Sequence, residues 1–223
     1  MKENKRLVIT IGRQYGSGGR EIGARLAKDL GLGFYDKNIL RLNSDESGIK
    51  ESFYHMADEK AGNKLLYRIV KSLAPELGTP SLGPDLIAAD NLFRFQSEVI
   101  RKLAAEEDCV IIGRCADYAL AENPNHLSLF IHAPMEARIQ RVARRQKLTP
   151  EEARKTIIKT DKRRASYYEY YSSKKWGAVD SYDFCLDSSY LGLSGTVELI
   201  RAMVEHKEHP IPSPTEIDPT EQV

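Results

Sequence analysis

The chain has 223 residues, room for one α/β domain with a mobile appendage but short for two independent domains. Its 33 basic and 32 acidic side chains leave a formal charge of +1, without the broad positive excess of a dedicated nucleic-acid binder, so any basic function is local. No apolar run reaches bilayer-spanning length, and Leu7 to Ile11 is too short for the apolar core of a signal peptide, so neither a membrane nor a nucleic acid is expected as a partner.

Leu7 to Ile11 is β-branched and unbroken rather than alternating, the pattern of a strand buried on both faces of a parallel sheet. A glycine-rich turn follows. Arg20 to Leu30 then carries Ile22, Leu26 and Leu30 at helical spacing, with Gly31 placed to cap the helix. The next stretch is polar and mostly helical, but Pro75, Gly78, Pro80, Gly83 and Pro84 break it into a helix and a loop. Asn91 to Glu106 reads as a helix, Cys109 to Ile112 as a second buried strand ending at Gly113-Arg114, and Leu127 to His132 as a third. Helices over Met135 to Lys147 and Pro150 to Ser172, a strand over Tyr182 to Leu186 and a helix over Ser194 to His206 complete the order. Strands alternating with helices predict a three-layer α/β fold on a parallel sheet, one domain over residues 1–206. Prolines 210, 212, 214 and 219 among polar residues predict a flexible tail over 207–223. Cys109, Cys115 and Cys185 form an odd set without CxxC spacing in or beside apolar segments, which suits reduced thiols and a cytoplasmic location.

The chemistry concentrates first at Gly12-Arg13-Gln14-Tyr15-Gly16-Ser17-Gly18-Gly19-Arg20-Glu21. A glycine loop between a buried strand and a helix turns backbone N–H groups inward, and the helix N-terminus adds partial positive charge, together a cradle for phosphate. Four glycines in the eight residues 12–19 exceed what a tight turn needs. The cradle residues are therefore Gly16, Ser17, Gly18, Gly19, Arg20 and Glu21, and the ligand expected is ATP. The pattern GxxxxGK[ST] is not met, because Gly19 stands where the phosphate-binding lysine belongs and Arg20 and Glu21 where a magnesium-binding hydroxyl belongs. An arginine must supply the missing cation, and Arg13 and Arg20 flank the loop. Ser17 and Glu21 are the side chains available to Mg2+.

Ile9-Thr10-Ile11, Tyr15 to Ile22, Leu30 to Asp36, Val110 to Arg114, Asp161 with Arg164, and Leu186-Asp187-Ser188-Ser189 together resemble the cytidylate kinase-like family, a divergent branch of the P-loop nucleoside monophosphate kinases. The resemblance runs to about Met203 and is weakest between Asn43 and Asp90. It implies a P-loop NTPase fold, a helical insertion over 43–90 that binds the nucleoside monophosphate, and ATP-dependent phosphoryl transfer with magnesium, CMP or dCMP being the acceptors it names. In standard cytidylate kinases an aspartate follows the glycine-arginine pair, whereas this chain has Cys115 there and Asp117 two positions later.

Strand ends of an open parallel sheet face the ligand crevice, which places Arg114 to grip an acceptor phosphate with its two-pronged guanidinium. Asp36 and Asp117 suit a ribose hydroxyl or a base, or else a helix cap. Arg138, Arg141 and Arg145 fall near one helical face, with Ile139 and Val142 on another. The two basic helices over 135–172 look like a nucleotide-kinase lid, in which Arg141 and Arg145 would meet donor phosphates. By analogy with the family, Asp161 and Arg164 fall to the acceptor side. Tyr167-Tyr168-Glu169-Tyr170-Tyr171 and Lys174-Lys175-Trp176 suit helix packing or a wall of the nucleotide site better than single-stranded nucleic acid, because no wider basic track accompanies them. Arginines without an evident base favour a phosphate acceptor, although Asp36 keeps a hydroxyl acceptor open. Two other outcomes follow from the same residues: a P-loop kinase of another small molecule, and a non-catalytic nucleotide sensor, which the missing lysine favours.

Overall fold

The computed structural model describes residues 6–36, 65–66, 68–70, 72–73 and 86–208. Most of the expected insertion over 43–90, and the tail beyond residue 208, lie outside the described residues. Among the described residues five strands form one sheet: β1 (Val8–Arg13), β2 (Gly33–Tyr35), β3 (Cys109–Ile112), β4 (His126–His132) and β5 (Phe184–Asp187). Their order is β2-β3-β1-β4-β5 and every neighbouring pair is parallel. Central β1 is held on both edges, Val8 opposite Cys109 on one side and His126 on the other.

The helices are α1 (Gly19–Leu30), α2 (Leu86–Glu106), α3 (Ala116–Ala119), α4 (Met135–Gln146), α5 (Pro150–Ser172) and α6 (Gly192–Glu208). α1 and α6 cover one face of the sheet, where Ile9, Ile11 and Leu129 meet Ile22, Leu26 and Ile200. On the other face Val8 and Ile111 meet Val99 and Leu103 of α2, together with Leu66 and Ile69 from helical residues between 65 and 73. Successive residues of β1 thus enter opposite cores, the physical reason its apolar run does not alternate. Truncating a fully buried isoleucine such as Ile9 or Ile11 to alanine costs about 2–5 kcal/mol in cores of this kind.

Sequence periodicity predicts four of the five strands. It passes over β2, whose three residues are too few to show a period and which is defined by pairing Gly33 to Tyr35 against Cys109 to Ile111. α1 ends as expected, Gly31 taking the left-handed conformation at φ 68° while its N–H reaches the Ala27 and Lys28 carbonyls. α5 opens with a reciprocal cap: Thr149 Oγ1 accepts the Glu152 N–H at 3.3 Å, and Glu152 Oε2 accepts the Thr149 N–H at 2.8 Å. No helix among the described residues is long and apolar enough to cross a membrane.

Candidate functional site

The turn from β1 into α1 is shaped by two glycines in the left-handed region, Gly16 at φ 83° and Gly18 at φ 88°. Its anchor is Ser17, fully buried, whose hydroxyl donates to the Gln14 carbonyl at 2.9 Å. Ser188, also fully buried at the end of β5, donates its hydroxyl to the Ser17 carbonyl at 2.5 Å. Among the described residues the N–H groups of Gly16, Gly18, Arg20 and Glu21 donate to no protein acceptor, and the last two open α1. Free, convergent amides at a helix start are what an anion site requires.

The place of the absent lysine is sterically closed. A Cβ on Gly19 would stand 2.7 Å from Arg13 Cβ and 3.1 Å from Ile131 Cβ. Ser17 also departs from expectation as a magnesium ligand, since its hydroxyl is turned into the loop's own backbone. Glu21 is half exposed and paired with Arg25 at 2.5 Å.

Beside the loop, at the C-terminal ends of β1 and β3, a cavity of about 390 Å³ opens against α5. Arg13, Arg114, Arg163 and Arg164 line it together with the carboxylates Asp36 and Asp117, and Tyr167, Tyr168, Trp176 and Tyr182 supply aromatic wall. Arg114 is aimed by an unusual backbone: Gly113, Arg114 and Cys115 all adopt positive φ, at 70°, 65° and 53°. Left-handed conformations cost an ordinary residue of order 1 kcal/mol or more and persist where tertiary contacts hold them. Burial pushes the Cys115 thiol up to about 12.

Arg164 Nη1 donates to the Arg13 carbonyl at 3.0 Å, and its guanidinium lies 5.4 Å from the centre of the Tyr15 ring. Asp36, at the end of β2, is buried yet paired with Arg20 at 2.5 Å, while Arg20 itself is 64% exposed and stands over Phe34. Asp117 accepts the Tyr168 hydroxyl at 2.7 Å, and burial raises its carboxyl above the ordinary range. Among the described residues the buried Tyr182 hydroxyl makes no hydrogen bond of good geometry, although the Tyr168 hydroxyl lies near it in the cavity wall.

The arginines expected of a lid divide. Arg138 does not share a solvent face with Arg145; it is buried beside Val142, both against Gly16, and pairs with Asp161 at 2.5 Å. Asp161 in turn accepts the Tyr15 N–H at 2.7 Å, so it sits under the loop rather than in the cavity wall. Arg141 Nη1 donates to the Gly16 carbonyl at 2.7 Å. Arg145 is exposed and does not line the cavity. Sequence patterning missed Arg163 and Tyr182 as cavity residues. Arg163 precedes Arg164 on the same helix and was signalled by that neighbour; nothing local marked Tyr182.

A parallel sheet in this order, with a glycine loop leading from its central strand into α1, defines a P-loop kinase fold. The chain belongs to the cytidylate kinase-like family, whose model matches residues 8–190. It is 27% identical over 209 residues to a cytidylate kinase of Methanopyrus kandleri, covering 89% of this chain and 93% of that one. A cytidylate kinase of Pyrococcus horikoshii is 24% identical over 201 residues, covering 90% of each. The crystal structure of an uncharacterized protein from Eubacterium ventriosum is similar over 90% of this chain and 99% of that one, with a TM-score of 0.65 and 25% identity. Family and fold together support a nucleotide kinase, a phosphotransferase.

Proposed function

We propose that the chain is a cytoplasmic enzyme that transfers the γ-phosphoryl of ATP to a nucleoside monophosphate, with CMP and dCMP as the first candidates. The observation that carries this reading is the cavity beside the loop, lined both by Arg13, Arg114, Arg163 and Arg164 and by Tyr167, Tyr168, Trp176 and Tyr182. An acceptor that carries both a phosphate and a planar ring matches that lining, and the cavity lies within the range of small-ligand sites. Free amides from Gly16 to Glu21 would cradle the donor phosphates. Arg114 would hold the acceptor phosphate by two hydrogen bonds. Asp117 and Tyr182 would read polar groups on the ring, Tyr182 gaining a hydrogen bond of good geometry.

A phosphate acceptor is already an anion, so the site needs cations and alignment rather than a base. Magnesium, when bound, would neutralise charge on the donor phosphates. Asp36, buried at a strand end and lining the cavity, is the described carboxylate that fits, once released by Arg20. The same placement favours a second reading, a small-molecule hydroxyl as acceptor with Asp36 taking its proton.

The test is ADP release from ATP and magnesium across CMP, dCMP, UMP, AMP and GMP, with Arg114→Ala as control. Turnover of a pyrimidine monophosphate that is lost in the variant supports the proposal. ATP binding without ADP release for any acceptor would replace it with the sensor reading. Turnover of an alcohol alone, abolished by Asp36→Asn, would move it to the hydroxyl reading.

A further inference from the structure

The loop has lost its lysine, and another side chain occupies the space beside it. Building on the phosphoryl-transfer reading, we infer that the Arg13 guanidinium takes over the lysine's task and grips the transferred phosphoryl from the end of β1.

Two glycines are matched to this one arginine. Position 19 is closed to any side chain because the Arg13 stem lies across it, Cβ at 2.7 Å and Cγ at 3.4 Å from where a Gly19 Cβ would be. Farther along, a Cβ on Gly113 would collide with Arg13 Nη1 and stand 3.0 Å from Arg13 Cζ. The side chain therefore runs from the mouth of the loop to the end of β3, with its head in the cavity beside Arg114. A side chain at 19 is thus excluded by the stem of residue 13 and by Ile131, while the Arg13 head fills the room that Gly113 leaves.

The head is also under-compensated. Among the described residues the Arg13 side chain makes no hydrogen bond or ion pair, although it is partly buried. Burial first, then Arg164, Arg114 and Arg20, pull it down to about 9, with Asp36 alone opposing. A partly buried cation without a counter-ion carries a cost that an arriving anion relieves. Arg20, the other arginine flanking the loop, is mostly exposed and committed to Asp36. Of the two arginines that flank the loop, this leaves Arg13, whereas Arg141 is tied to the Gly16 carbonyl and Arg164 to the Arg13 carbonyl. A planar fork suits this place, since it can bond two oxygens of one phosphoryl group at once. In the step itself the bond from the γ-phosphorus to the oxygen bridging it to ADP breaks, and one from phosphorus to an acceptor phosphate oxygen forms. Arg13 donates hydrogen bonds throughout and exchanges no proton.

Binding and turnover of the full chain test this together, with wild type, Arg13→Ala and Arg13→Lys compared by calorimetry against ATP and ADP. Wild type should prefer ATP over ADP by about tenfold or more, the value of a charged hydrogen-bonding contact to the extra phosphate. Arg13→Ala should erase that preference while keeping ADP affinity, lower kcat about 100-fold or more, and recover part of it when guanidinium ion is added. Arg13→Lys, which retains the charge without the fork, should fall between the two and carries the test if the alanine variant does not fold. An unchanged ATP-to-ADP preference in a folded Arg13 variant overturns the inference, whatever the turnover. If wild type phosphorylates nothing in the panel and the preference still depends on Arg13, the kinase reading fails and the γ-phosphate contact stands.

Discussion

The Asp161 carboxylate accepts the Tyr15 backbone N–H at 2.7 Å, so a residue of α5 braces the phosphate loop from 146 positions away. Its other oxygen pairs with Arg138 of α4 at 2.5 Å, and both side chains are largely buried. The two basic helices are thereby joined to each other and to the loop through one carboxylate.

Removing that brace should be expensive. Asp161→Ala leaves the Arg138 cation buried and unpaired, a loss of about 3–5 kcal/mol for pairs of this kind. Urea denaturation should show it, and nucleotide affinity should fall with it because the Tyr15 amide is released. Adding Arg138→Met should return part of the lost stability, since the stranded charge is removed. Strictly additive losses would mean that the two residues act independently.

Restoring the lysine should not improve the enzyme. Gly19→Lys drives a side chain into Arg13 Cβ and Ile131 Cβ, and overpacking of that sort costs about 1–3 kcal/mol. A lower melting temperature and weaker ATP binding are expected in thermal and calorimetric titrations. A variant that melts like wild type and turns over faster would show room at position 19 that these contacts deny.

The buried Asp117 carboxyl sets a pH dependence of definite sign. Burial raises its folded pKa above the ordinary 3.8, with the Tyr168 hydrogen bond opposing. Between the unfolded and folded values the folded state holds the extra proton, so stability falls as pH rises through that window and stays lower above it. Asp117→Asn should therefore raise the melting temperature near pH 7, with the gain shrinking as pH drops through that window and lost below 3.8. Melting curves from pH 3 to 7 decide it, since a gain that grows toward acid would reverse the sign.

Tyr182 separates stability from recognition. Its buried hydroxyl makes no hydrogen bond of good geometry among the described residues, so Tyr182→Phe should leave the empty protein unchanged or more stable by up to about 1 kcal/mol. If the hydroxyl reads the acceptor ring, the acceptor KM should rise about fivefold with the KM for ATP unmoved. A variant that loses stability and keeps both KM values would make Tyr182 a packing residue.

Much of this was legible along the chain because it rests on local patterns. A β-branched run, four glycines and an amphipathic helix in succession announce β1, the loop and α1 without any distant contact. Thr149-Pro150-Glu151-Glu152 announces the start of α5, because its cap is made within one turn. Arg114 was legible too, since the end of a buried parallel strand faces the crevice. Other features had no local signature. β2 exists through its pairing with β3, and the left-handed turn at Arg114 and Cys115 is imposed on residues that do not favour it. Asp161 stood in the chain as one acid in a basic helix, and only packing of α4 and α5 onto the loop turned it into a brace. Gly19 alone looked like a loss, whereas in space the strand end beside it carries Arg13 across its α-carbon and onto Gly113. Spacing along one chain reports what neighbours in sequence can do, but the fit of an arginine against two glycines, one of them a hundred positions away, depends on which strands lie side by side.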